Sequence, residues 1–450
     1  LKIDYAIPQV FELISSGNTD GIFQLESRGM RSFMTELKPQ SLEDIIAGIS
    51  LFRPGPMDQI PLYEKNKNHP ESVTYKTELL RPILDVTYGC MVYQEQVMKI
   101  VQELAGYSLG RADLVRRAMS KKKVDVMKKE RNNFIYGNEE EGIDGAIKRG
   151  VDEKAANEIF DSMMDFALYA FNKAHAACYA VVAYQTAYLK CFYPLHFMAA
   201  LLSSVLSVPD KIYQYIVEIQ RMGIKLLPPD INRSYERFTP DGGNIRFGLA
   251  AIKNVGLNVV SDIVEEREHG EFKSFVDFAK RKPDINKRTL ESLIRAGAFD
   301  SLKDNRATLL DGFSAVIEKL ASDKKNNIEG QMSLFGEIEE EEIKLAPKRE
   351  LPEREKLAME REMIGIYVSG HPIDSYSEIM KKIPHVTMAD IKNAQSGEDS
   401  SVNDGDEITV FGMIAGKSEI TTKKGGKMAF LNIEDKFGTW KPGDFQSCMT

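Results

Sequence analysis

Over the first 235 positions, apolar residues recur mostly at helical spacing. Leu13 and Ile14 form a short apolar patch before the turn sequence Asn18-Thr19-Asp20-Gly21. Ser41 stands ahead of Glu43 and Asp44, with Ile45, Ile46 and Ile49 on one face, which predicts a helix capped by Ser41. Pro54 and Pro56 stop it, since proline cannot continue the hydrogen-bond ladder. Further helices are predicted over 94–104, from 111 to about 133, and over 152–165 and 175–192. Pro228-Pro229-Asp230 is expected to be a rigid break and the first domain boundary.

From Ile245 the texture changes. Two short helical units are expected, one around 248–256 and one around 286–299, joined by a polar stretch with Pro283. Residues 323–330 read as a loop, and Glu339 to Glu342 as a solvated acidic linker. After about Ser400 the pattern alternates: Ile408, Val410, Gly412 and Ile414, then a Lys-Gly-Gly-Lys turn, then Met428, Phe430, Leu431 and Ile433. Such alternation around a glycine turn predicts a β-hairpin, and an interrupted barrel. After Gly438 the alternation is lost, so residues 439–450 are expected not to be native family sequence.

Composition changes this picture little. At 450 residues with 43% hydrophobic and 28% charged content, the chain reads as two to four soluble domains. It begins at Leu1, so a longer chain is expected around it. Gln185, Lys190 and His196 interrupt the most apolar stretch, 174–206, which favours buried helices over a membrane span. Four scattered cysteines with no CxxC pair argue against zinc or a disulfide framework, and for a reducing, cytoplasmic setting.

The net charge of −8 makes local charge the useful quantity. Residues 111–131 carry nine basic side chains against three acidic ones, a local net of +6. Arg117, Lys121 and Lys128 fall at helical offsets, a face suited to polyphosphate; the plain alternative is a solvated basic helix. The segment 169–175 (YAFNKAH) packs two aromatics, an amide, a cation and an imidazole between two helices. Aromatics stack on bases while Lys173 and His175 reach phosphate or sugar; the plain alternative is a helix–helix turn with Phe171 buried and Asn172 as cap. Gly248 to Gly256, with Lys253, Asn254 and Val255 before the second glycine, matches a helix-hairpin-helix. Gly256 would let backbone N–H groups approach a phosphate, which is sequence-independent binding. Gln331, Met332, Ser333, Leu334 and Phe335 place hydrophobes in a polar loop, which favours burial against a partner.

These residues carry a resemblance. GIFQLES at 21–27, LFRPGP at 51–56, Tyr88-Gly89 with YQEQV at 93–97, RRAMSKKK at 116–123, FNKAH at 171–175 and PPDIN at 228–232 occur in one order. Together they closely resemble the alpha subunits of bacterial DNA polymerase III, the C-family replicative polymerases, from about Asp20 to Phe437.

The resemblance implies a mainly α multidomain fragment. Its expected parts are helical fingers at 1–235, a helix-hairpin-helix and sliding-clamp-binding region at 236–345, a helical linker at 346–400 and a truncated OB-fold start at 401–450. It implies Arg53, Arg116, Arg117, Lys121 and Lys122 as contacts to an incoming triphosphate or template, with Asn172, Lys173 and His175 lining the nucleotide pocket. Gly248, Lys253, Asn254, Val255 and Gly256 would hold duplex DNA, and Gln331 to Phe335 would dock on the sliding clamp, the beta subunit. Expected partners are primer-template DNA, deoxynucleoside triphosphates, the clamp and other replicase subunits, with no membrane. The family's nucleotidyl transfer uses two Mg²⁺ ions on palm aspartates that no segment here matches, so this stretch alone is expected to be inactive. Ala174 stands where the family commonly has serine, which removes one hydroxyl contact. The rival reading of another class is a non-catalytic DNA-binding or clamp-binding adaptor.

Overall fold

In the computed structural model, residues 2–120, 124–167, 171–206, 208–326, 343–396, 402–403, 405–421 and 427–440 are described. Helices dominate them and fall into two units, residues 1–194 and 195–450. The mainly α, multidomain class expected from the sequence is what the chain adopts.

The first unit holds α1 (Pro8–Ser15), α2 (Arg28–Leu37), α3 (Leu42–Leu51), α4 (Ile60–Asn68), α5 (Arg81–Leu84), α6 (Gln94–Ala105), α7 (Leu109–Ser120), α8 (Val124–Tyr136), α9 (Glu153–Ala167) and α10 (Lys173–Phe192). Ser41 caps α3 as its sequence foretells. The Ser41 hydroxyl accepts the Asp44 N–H at 3.2 Å while the Asp44 carboxylate accepts the Ser41 N–H at 3.2 Å. The helix expected over 111–133 is two, α7 and α8, with Lys121, Lys122 and Lys123 outside the described residues.

Two apolar clusters fill this unit. One gathers Val97, Ile100, Leu104, Val115, Phe134, Ile159 and Phe160 from α6 to α9. The other gathers α1, α2, α3 and α10, and here small side chains set the spacing. Ala176, Ala180, Ala183 and Ala187 recur at four-, three- and four-residue steps and are fully buried. That stripe lets α10 pack along α3, where Ala47 and Gly48 are buried in turn.

The second unit holds α11 (Pro194–Ser204, its first residue aside), α12 (Pro209–Arg221), α13 (Leu257–Arg267), α14 (Phe275–Arg281), α15 (Lys287–Arg295), α16 (Arg306–Asn326), α17 (Glu353–Ile364), α18 (Ser377–Met380) and α19 (Met388–Ser396). The 228–230 break is not where the units part. Ile224 and Ile231, on either side of it, lie buried in one cluster with Met198, Leu202, Ile219 and Phe247. Likewise the stretch expected as a linker, 346–400, contributes α17, whose Met363 and Ile364 belong to that same cluster.

Two small sheets complete this unit. Strands β1 (Leu226–Leu227), β2 (Thr239–Asp241) and β3 (Asn244–Arg246) pair in the order β1-β3-β2, a sheet the sequence did not foretell. A hairpin is present, β4 (Met413–Thr421) antiparallel to β5 (Lys427–Glu434), with a bulge between Ile414 and Gly416; its second strand falls where the sequence put it, but Ile408, Val410 and Gly412 precede β4. Thr439–Trp440 adds β6, pairing Ile433 with Trp440. The strand pattern therefore persists beyond Gly438, against expectation, and residues 441–450 lie outside the described residues. Among the described residues these three strands form an open sheet and not a closed barrel.

One buried cation ties the second unit together. Arg306, 2% exposed, donates to Asp300 at 2.6 Å and to Glu360 at 2.7 Å, and Glu360 is 1% exposed. Gly297, at φ +82°, leaves the room this guanidinium occupies: a Cβ there would lie 2.3 Å from Arg306 Nη2. Arg306→Met strands the Glu360 charge and should destabilise the unit by about 3–5 kcal/mol, with Glu360→Met in the same chain recovering most of the loss. Denaturant titration followed by circular dichroism checks both; an unchanged midpoint for the single variant contradicts the assignment.

Candidate functional site

Three helices in the first unit begin at one place. Lys173 at the start of α10 extends its ammonium to Glu43 in the first turn of α3, with Nζ 2.9 Å from Oε2. The Lys173 N–H donates to both oxygens of Glu95, in the first turn of α6, at 3.2 and 3.0 Å. Each helix start carries partial positive charge from its unpaired N–H groups, so the two carboxylates offset what would otherwise repel.

The connecting strand-like residues lock this junction. Tyr93 and Phe171 form a parallel bridge, and the Gln94 N–H donates to the Phe171 carbonyl at 2.9 Å. Gln94 in turn accepts from Arg116 at 3.0 Å through its side chain. Arg53 lies with its guanidinium carbon 3.8 Å from the centroid of the Phe171 ring, a stacked cation–π contact. Arg53, Arg116, Lys173 and His175 are thus brought together through Phe171 and Gln94, although up to 122 positions separate them in the chain.

His175 continues an aromatic ladder along the exposed side of α10. Its ring lies 5.4 Å from Phe171 and 4.5 Å from Tyr179, and Tyr179 lies 5.3 Å from Phe23. His175 and Phe23 are exposed and Phe171 and Tyr179 are half-buried, so the ladder offers ring faces to an incoming flat group. Asn172 fills the structural role foreseen for it: its carbonyl oxygen accepts the His175 N–H at 2.9 Å, and its amide donates to Glu95 at 2.8 Å. With both ends of the side chain engaged, Asn172 acts as the cap of α10.

The basic segment is less free than its composition implies. Arg111 pairs with Glu130 and Glu141, Lys129 with Glu141, and Arg131 with Asp161. Those three cations hold α7, α8 and α9 together. Arg116 and Arg117 share Asp113, each at 2.7 Å, and hydrogen bonds from Arg116 first, together with those from Arg117, hold the Asp113 carboxyl below its usual range. Arg117 is 63% exposed and is the more available of the two. Arg117 and Lys128, expected on one helix face, stand on two helices, α7 and α8, and Lys121 and Lys122 lie outside the described residues.

In the second unit the helix-hairpin-helix expectation is met with a difference. The first helix is a single 3₁₀ turn, Leu249–Ala251, because the Lys253 N–H is diverted to the Met363 carbonyl at 2.9 Å. The left-handed residue of the turn is Asn254, at φ +64°, while Gly256 is extended at φ −82° and caps α13. A Cβ at Gly256 would meet nothing within 4 Å, so the N-terminus of α13 faces open space, as anion approach requires. Asn254 is held by α15: its carbonyl accepts from Thr289 at 2.9 Å and its amide donates to Ser292 at 3.1 Å.

Gln331, Met332, Ser333, Leu334 and Phe335 lie outside the described residues. Among the described residues no cluster of His, Cys, Asp or Glu is fit to hold a metal ion, and no helix is long and apolar enough to cross a membrane. Sequence reasoning missed Glu43 and Glu95 as partners of Lys173, and missed Phe23 and Tyr179 as ladder members. Tyr179 was within reach, standing four residues after His175 on a predicted helix.

Residues 1–142 match the model of the bacterial DNA polymerase III alpha subunit finger domain, and residues 223–309 match a helix-hairpin-helix motif. The finger match ends before the 171–175 junction. Three relatives, each named DNA polymerase III subunit alpha, align along nearly the whole chain. The protein of Thermus aquaticus is 44% identical over 96% of this chain and 35% of its own length. That of Bacillus subtilis is 41% identical over 97% and 38%, and that of Campylobacter jejuni 43% over 99% and 37%. The chain spans little more than a third of the length of these relatives.

The site geometry makes a chemical prediction. Cys178 is exposed on α10, next to Tyr179 in the chain, whereas Cys90 is buried and its thiol is pushed up to about 11 by burial. Below pH 9 an alkylating reagent should modify Cys178 in the native chain and leave Cys90 untouched until unfolding, read by peptide mass mapping. Equal native rates at the two thiols would contradict this arrangement.

Proposed function

Because this chain belongs to the family of bacterial DNA polymerase III alpha subunits, of whose length it spans about a third, we propose that it serves DNA-templated DNA synthesis by positioning the incoming nucleotide. The observation that carries this reading is the junction of α3, α6 and α10. It gathers Arg53, Arg116 and Lys173 beside an exposed aromatic ladder. Guanidinium and ammonium groups neutralise triphosphate oxygens while ring faces take the base. By the family resemblance, Arg117, Lys121 and Lys122 would add further contacts to the triphosphate or template.

In this reading the resting ion pairs matter. Lys173 rests on Glu43 and Arg116 on Asp113, so an arriving triphosphate exchanges one set of anions for another rather than meeting bare cations. The pocket stays ordered before substrate arrives, which lowers the ordering cost of binding. Two Mg²⁺ ions would supply Lewis-acid activation in the whole subunit, on carboxylates elsewhere in it. The residues here bind and orient.

The remaining parts take the roles that the family suggests. The open N-terminus of α13, with Gly248, Lys253, Asn254, Val255 and Gly256 around the turn, suits the phosphates of duplex DNA. The β4–β6 sheet would belong to an OB fold that handles single-stranded template, and the whole would act in the cytoplasm with other replicase subunits. Gln331 to Phe335 would dock on the sliding clamp, with Leu334 and Phe335 buried together and Gln331 bonded at the rim.

Two experiments test these assignments in the full-length subunit. Arg117→Ala should raise the nucleotide KM about tenfold, the loss of one charge-assisted contact, with primer-template affinity unchanged. Lower DNA affinity at constant nucleotide KM would move the cluster to the template path. For the clamp, burying Leu334 and Phe335 yields roughly 3–6 kcal/mol before loop ordering, which leaves micromolar affinity. Leu334→Ala with Phe335→Ala should abolish clamp-stimulated processive synthesis and spare distributive synthesis; equal loss in both means the two residues serve the fold.

A further inference from the structure

Glu95 occupies an unusual place in the junction. Its carboxylate sits in the first turn of α6 and accepts from the first N–H of α10, as well as from the Asn172 amide. One anion therefore serves two helix starts whose residues are 78 positions apart. Asn172 by itself caps only the His175 N–H. The α10 start, which carries Lys173 and His175, is tied to α6 by the bonds to Glu95 and by the Gln94 N–H bond to the Phe171 carbonyl. Lys173 is then steered twice more, by Glu43 at 2.9 Å and by the Tyr93 ring 5.2 Å below its ammonium.

We infer that Glu95 is a positioning residue for nucleotide binding: it fixes the α10 start so that Lys173 and His175 meet the triphosphate and base. The inference rests on the nucleotide-pocket reading above. Glu95 itself is spent on three hydrogen bonds within the protein, so it acts through Lys173 and His175. What it supplies is reach and acceptor geometry. Glutamine keeps an acceptor oxygen at the same distance, whereas aspartate keeps the charge but falls short by one methylene.

The test uses the full-length subunit in steady-state primer extension, with Glu95→Gln, Glu95→Asp, Glu95→Ala and, as a reporter of the pocket, Lys173→Ala. The Asp and Ala variants should raise the nucleotide KM about tenfold with kcat and primer-template affinity within about twofold of wild type, and Gln should restore KM to within about threefold. A general folding defect would instead lower kcat and DNA affinity together, and that outcome overturns the inference. So does a Gln variant as impaired as Ala, which would make charge rather than geometry the cause. If Lys173→Ala raises KM while every Glu95 variant stays at wild type, the positioning role fails and the pocket reading survives. If Lys173→Ala leaves KM unchanged, the pocket reading fails and this inference goes with it.

Discussion

The junction where α3, α6 and α10 start together is an electrostatic problem that the rest of the first unit is arranged to solve. Helix N-termini repel one another when brought close, and each leaves N–H groups that need acceptors. Here Asp44 answers the start of α3, Glu95 answers α6 and α10 at once, and Glu43 neutralises the Lys173 ammonium. The approach itself is imposed by packing, since the alanine stripe of α10 seats against Ala47 and Gly48 of α3. Apolar packing thus forces together charges that only specific carboxylates make tolerable. The result is that Arg53, Arg116 and Lys173 lie beside the exposed aromatic ladder.

The second unit uses a related device for a different end. Arg306 is buried against Asp300 and Glu360, and Glu360 also accepts from the Ser369 N–H and hydroxyl. A buried pair of this kind contributes little net stability compared with apolar packing, but its hydrogen bonds admit one arrangement only. That arrangement orients α15, α16 and α17, and α15 holds the Asn254 turn from which α13 presents its open N-terminus.

What the sequence revealed follows the range of the interactions concerned. The Ser41 cap, the spans of α6, α9 and α10, and the β5 strand all depend on neighbours within a few residues, and each was legible, whereas the alternation read over 408–414 mostly precedes β4. The family motifs were legible for the same reason, being local strings. The partners of Lys173 were not: Glu43 lies 130 positions away and Glu95 lies 78 away. Nor could the net charge of 111–131 disclose that Arg111 and Arg131 are spent on Glu141 and Asp161, which lie outside that window. The hairpin turn misled by its composition, because Asn254 rather than a glycine takes the left-handed conformation. The proline break misled because extended chain passes through the core there as readily as around it.

Nucleotide binding at the α3–α6–α10 junction is the central claim. The most direct measurement is a structure of the full-length subunit trapped with primer-template DNA and a non-hydrolysable incoming nucleotide. The triphosphate should lie within hydrogen-bonding distance of Arg116 or Lys173, with the base near the Phe171–His175–Tyr179 ladder. A nucleotide bound elsewhere, with the Lys173–Glu43 and Glu95–Lys173 contacts undisturbed and only solvent before the ladder, would contradict it.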